Sequence, residues 1–172
     1  MSTPEPTTAV SPTEGLRHVA RLTSFVLHAN VEGITQAESL AAPQPAGNCL
    51  NWVVGHLVCI GNKALPVVGQ EPVVDPASLD RYDRGSAPLT DPAEARDIGE
   101  LMRLWDEVAA RMDAGLAGFP GDTLDQPAPF SPGNDPNETV GSLIATMVFH
   151  QSYHVGQTGV LRRVSGKAGA IK

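Results

Sequence analysis

The sequence is short of most of the features that announce a function. It has two cysteines, Cys49 and Cys59. Ten residues apart in one predicted helix, they would lie about 15 Å from each other along its axis, too far for a disulfide between them. Reduced buried thiols fit a reducing compartment. No run approaches the roughly 20 apolar residues of a membrane span, and the N-terminus lacks the charged-then-apolar layout of a signal peptide, so a cytoplasmic protein is expected. Lys and Arg are not clustered and the formal charge is −7, which argues against a general binder of nucleic acid. No glycine-rich phosphate loop follows a strand, there is no internal repeat, and no segment carries a strand signal of weight.

After Glu138 the chain holds no acid, while Arg162, Arg163, Lys167 and Lys172 all fall there. The asymmetry reads either as a mild anion-attracting end or, the preferred reading, as cations placed against a helix C-terminal dipole.

What is present is helical. A chain of 172 residues with 41% hydrophobic content is sized for one domain with its own core. Residues 1–10 are polar and proline-containing and read as a flexible tail, leaving 11–172 as the domain. Ser11-Pro12-Thr13-Glu14 supplies a cap, a first-turn proline and a glutamate three after the cap. Leu16, Val19, Ala20, Thr23, Val26, Leu27, Val31 and Ile34 then recur at helical spacing, predicting a first helix to about residue 37. His18 and His28 lie beside that stripe and read as surface or boundary residues.

Residues 41–47 form a connection, and Asn48 is the predicted cap of a second helix with Trp52, Val53, His56, Leu57, Ile60 and Ala64 on one side, stopped by Pro66. Residues 66–90 are proline- and glycine-rich without periodicity, as in a lid or a crossover. Asp91 is the predicted cap of a third helix using Ala95, Ile98, Leu101, Met102, Trp105, Val108, Ala109 and Met112. The stretch 119–136 is irregular again. Asn137 is the predicted cap of a fourth helix with Val140, Leu143, Ile144, Met147, Val148, Val155 and Leu161 on its apolar face, to about Val164. The fold class predicted is all-α, a four-helix bundle with long connections between helices 2 and 3 and between helices 3 and 4.

Within the fourth helix stands His150-Gln151-Ser152-Tyr153-His154. Two histidines four apart differ by about 40° in azimuth and about 6 Å in rise, so their rings can converge on one ion. Both continue the apolar stripe, as does His56 in the second helix. Three neutral imidazoles from facing helices would hold one divalent ion and leave a coordination position open, where bound water could be deprotonated, a thiolate activated or a carbonyl polarised. Residue 151 is glutamine, so the general-base glutamate of the HExxH zinc proteases is missing. Cys59, one turn after His56, is the one candidate for a fourth ligand on spacing. Ser152 and Tyr153 should turn away from the metal face, and Gln157 either packs or hydrogen-bonds a ligand from outside.

Asn51-Trp52-Val53-Val54-Gly55-His56-Leu57, followed by His150-Gln151-Ser152-Tyr153-His154-Val155-Gly156-Gln157, resembles the DinB family of four-helix-bundle proteins over nearly the whole chain. The resemblance implies a divalent transition metal, zinc or nickel, held by residues matching His56, His150 and His154. It also implies a low-molecular-weight thiol such as bacillithiol or mycothiol as cofactor or co-substrate, and a homodimer. The expected activity is that of a metal-dependent enzyme on a small-molecule substrate, either a thiol-dependent S-transferase or a hydrolase, with metal-bound water or thiolate as the reacting group. The alternative is a non-catalytic metal-binding or stress-associated binding protein. Neither nucleic acid nor membrane is an expected partner.

Overall fold

The structure, a computed structural model, describes residues 12–171. The N-terminal tail and the Ser11 cap therefore lie outside the described residues. Five α-helices are present there: α1 (Pro12–Val31), α2 (Gln36–Ser39), α3 (Leu50–Ala64), α4 (Ile98–Ala117) and α5 (Val140–Val164). Among the described residues there is no β-strand, only one isolated antiparallel bridge between Pro127 and Thr139. The four long helices form a bundle in which α1 and α3 each pack against both α4 and α5. The chain therefore crosses the bundle between α1 and α3 and again between α4 and α5, whereas the connection from α3 to α4 joins packed neighbours.

Four helix ends differ from the sequence expectation, each for a local reason. The first helix stops at Val31 because Gly33 takes φ 69°, a left-handed conformation that glycine adopts at low cost, and Thr35 then caps the separate α2 with Glu38 in a capping box. Cys49, not Asn48, is the cap residue of α3, and its side chain makes no capping bond. Asp91 does cap a helix, but only the single turn Pro92–Glu94; Asp97 accepts from Glu100 N and starts α4. Thr139, not Asn137, caps α5 through a reciprocal bond with Ser142.

The 66–90 connection is not a loose lid. It buries Leu79 and Tyr82 completely against α3, and two buried asparagines of α3 tie down the backbone of the segment leading to α4. Asn62 Oδ1 accepts from Val73 N at 2.6 Å and its Nδ2 donates to Val74 O at 2.9 Å, while Asn51 Nδ2 donates to Arg96 O at 2.8 Å. An amide side chain can match a strand-like backbone on both its donor and acceptor sides, so these buried polar groups carry no desolvation debt. Helix α3 is consequently buried all round from Leu50 to Cys59, well beyond the one-sided stripe read from sequence.

The late cations act on more than their own helix. Arg162 donates to the carbonyls of Asn30 and Glu32 at the end of α1, and Lys167 pairs with Glu38 at 3.0 Å. Val19, Leu22 and Phe25 of α1 and Phe149, Tyr153 and Val160 of α5 remain exposed on the outside of the bundle.

Candidate metal centre

Helices α3 and α5 pack side by side, and their facing sides carry His56, His150 and His154. The ligand-capable atoms of the three rings all lie within 4.8 Å of one another. His150 Nε2 is 3.4 Å from His56 Nε2 and 3.1 Å from His154 Nε2. Nitrogens around a tetrahedral zinc ion at its usual bond length stand about 3.3 Å apart, so the rings already have ligand spacing.

The outer nitrogens decide which way the protons point. His56 Nδ1 donates to the Tyr82 carbonyl at 2.8 Å, and His154 Nδ1 donates to Gln157 Oε1, also at 2.8 Å. Each of those rings therefore turns an Nε2 lone pair inward. His150 Nε2 can give a proton to one of them but not to both. A cation at the centre satisfies all three, and the donor set fits a divalent transition metal. His150 Nδ1 is buried without a partner among the described residues, so this ring is the one with no outer hydrogen bond to hold it.

Packing completes the positioning. Trp52, one turn before His56, stacks on its ring with centroids 4.9 Å apart and planes 10° from parallel. Trp52 is itself anchored, its Nε1 donating to Ser86 Oγ at 3.0 Å. Gly55 lets Tyr82 reach His56: a Cβ on residue 55 would lie 2.1 Å from Tyr82 Cδ1. The Tyr82 hydroxyl donates to Asn51 Oδ1 at 3.1 Å and accepts from Arg96 N at 2.7 Å. The carbonyl that orients the first histidine thus belongs to a residue clamped at both ends.

Burial holds all three imidazoles below their ordinary pKa, so they are neutral and ready to bind metal at pH 7. His150 is pushed down to about 4, by burial first, then by the neighbouring His154 and His56 and the nearby Arg84. In the metal-free protein the unfolded chain takes up protons below the ordinary histidine value of 6.5, while folded His150 refuses one until about 4. Stability contributed this way is complete above pH 6.5 and lost as pH falls toward 4. Urea midpoints of the metal-free protein should therefore decline more steeply across that window in wild type than in His150→Ala; equal slopes would refute the assignment.

The rings line one wall of a cavity of about 860 Å³ between α3, α5 and the connections that cover them. Trp52, Val53, Ile60, Met147, Leu161 and Phe130 make its walls largely apolar. Cys59 stays out of the cluster: it is fully buried, its nearest polar partner is Asp83 Oδ1 at 4.0 Å, and burial raises its thiol to about 11. The other residues singled out in the sequence are peripheral. Ser152 bonds Thr23 and the Val148 carbonyl, Tyr153 is exposed, and His28 makes an exposed pair with Asp106.

The family model of the DinB superfamily matches residues 11–158, a span that contains all three histidines and both connections. The chain belongs to the DinB superfamily. A crystal structure of a conserved protein from Enterococcus faecalis has the same fold at 17% identity, with a TM-score of 0.71 over 92% of this chain and 100% of that one. No functionally curated protein matches the sequence significantly. Within this DinB-type bundle the sequence motifs around His56 and His150 became one cluster. Tyr82, which orients His56, lay in a stretch with no periodic signal, and the glycine before His56 was the trace of it.

Proposed function

We propose that this DinB-superfamily protein is a metal-dependent enzyme acting on small molecules, a thiol-dependent S-transferase or a hydrolase, with His56, His150 and His154 holding a divalent zinc or nickel ion. The observation that carries the reading is the convergence of three neutral imidazoles, without a fourth protein ligand among the described residues, on the wall of a large apolar cavity. When bound, such an ion supplies Lewis acidity toward a thiol, a water molecule or a carbonyl oxygen.

The chain's own residues then have distinct tasks. The Tyr82 carbonyl and Gln157 keep the protons of His56 and His154 on the outer nitrogens. Trp52, stacked on the His56 ring, covers that face of the cluster from water. The histidines, being ligands, are not available as general acids or bases.

A non-catalytic metal-binding or stress-associated role would be favoured by a closed four-ligand site. Among the described residues no cysteine or carboxylate joins the three histidines, and the Cys59 thiol is protonated and turned toward Asp83. The enzymatic reading is therefore preferred. Protein reconstituted with zinc or nickel should turn over a thiol from a panel of cysteine, bacillithiol and mycothiol with monobromobimane, or hydrolyse a small ester or amide. His154→Ala should lose at least about 100-fold of that rate. Full turnover by His154→Ala, or no turnover of any pair by the loaded wild type, would overturn it.

A further inference from the structure

The charge on the cavity wall runs against the charge of the chain. The protein carries 19 acids against 12 Lys and Arg, yet no Asp or Glu lines the cavity. Besides the histidines, its ionisable lining residues are Lys63 and Arg84. Lys63 is already neutralised by Asp83, with Nζ 2.7 Å from Oδ2. Arg84 differs from the other two arginines of its connection. Arg81 pairs with Glu94 and Arg96 with Glu100, each at 2.7 Å, whereas Arg84 has no carboxylate at salt-bridge distance among the described residues.

The backbone that carries Arg84 is held in place, while its side chain is exposed at the cavity rim. Residues 83 to 86 form a turn closed by Ser86 N donating to Asp83 O at 3.1 Å, with Gly85 at φ 84° in the position where such turns favour glycine. The Arg84 amide donates to Asp83 Oδ1 at 2.8 Å. The turn is tied to α3 on both flanks, by the Tyr82 carbonyl on His56 and by Ser86 Oγ on Trp52 Nε1. An exposed guanidinium without a carboxylate partner among the described residues, standing at the rim of apolar walls, can receive a planar anion, because its donor fork matches a carboxylate.

We infer that the cavity takes an organic carboxylate with an apolar body, and that Arg84 binds its carboxylate and sets this specificity. The inference rests on the reading of this cavity as the substrate site. The apolar body lies along Trp52, Ile60, Met147 and Leu161, and the charged end sits toward the 83–86 turn.

Metal-free protein, stripped with a chelator so that no ion can bind the anion, is titrated calorimetrically with octanoate and with octanol. The two share a chain and differ in the charged end. Octanoate should bind about tenfold more tightly, the increment of a charge-assisted hydrogen bond. Arg84→Gln should bring octanoate down to the affinity of octanol and leave octanol within about twofold, and Arg84→Lys should recover part of the loss. Ile60→Trp, or Met147→Trp should the first fail to fold by circular dichroism, fills the cavity and should abolish binding of both compounds. Octanoate affinity unchanged in Arg84→Gln, or equal affinities of the two compounds in a cavity that tryptophan blocks, overturns the Arg84 assignment alone. No binding of either compound, or binding of both that tryptophan leaves intact, overturns the cavity as a ligand site and with it the reading above.

Discussion

Replacing His56 or His150 with alanine should strip the protein of its divalent ion while leaving the bundle folded. Untagged wild-type protein, reconstituted with zinc or nickel and freed of excess ion, should carry about one equivalent, and each variant less than about a tenth of that. The reason is geometric. Two imidazoles cannot close half of a tetrahedral site tightly enough to compete with water, and neither variant retains a substitute, since no further cysteine or carboxylate among the described residues reaches the cluster. Gln157→Ala should do less. It removes only the acceptor that fixes the His154 proton, and loss of such an outer partner weakens metal binding by about 10–100-fold. Elemental analysis and a chelator competition measure both effects, and far-UV circular dichroism checks the fold. A wild type that takes up neither metal would remove the mechanism proposed here.

Gly55→Ala should damage stability and metal binding together. An added Cβ would meet the Tyr82 ring at 2.1–2.5 Å, and that ring has nowhere to go, being fully buried and bonded at its hydroxyl to Asn51 and Arg96. Overpacking of this kind costs about 3 kcal/mol, read as a lowered urea midpoint in the metal-free protein. Any shift of Tyr82 also moves the carbonyl that holds His56 Nδ1, so metal affinity should fall by about tenfold or more. Gly15→Ala is the control. It lies within α1 with nothing within 4 Å of the new Cβ, and it should leave metal affinity unchanged and stabilise the helix slightly. A Gly55→Ala protein with wild-type stability and metal affinity would mean that the close approach of Tyr82 is not what positions the site.

The helical stripes and the histidine spacing were legible in the sequence because both are short-range properties. Apolar residues at three- and four-residue intervals identify α3, α4 and α5 whatever their neighbours, and His150 and His154 share a face by helix geometry alone. The helix starts were read less well. Asp91 and Asn137 are good caps in isolation, but Asp97 and Thr139 lie where the packed helices begin, and tertiary packing chooses among competing caps. The 66–90 connection showed no local pattern for the opposite reason. Its order comes from Asn51 and Asn62 on another element, and no local pattern records that.

By itself, then, the sequence determined the all-α class, the positions of the long helices, and which three histidines face inward, since each follows from residue type and the 3.6-residue period. The tertiary structure decided everything that depends on contact between distant segments. It set α3 against α5 so that His56 meets His150 and His154, brought Tyr82 through the gap at Gly55 to orient the first ring, kept Cys59 out of the cluster, and placed Arg84 on the rim of an apolar cavity with no counter-ion among the described residues. These outcomes turn on distances of a few ångströms between residues 24 or more positions apart, and only the packed chain holds that information.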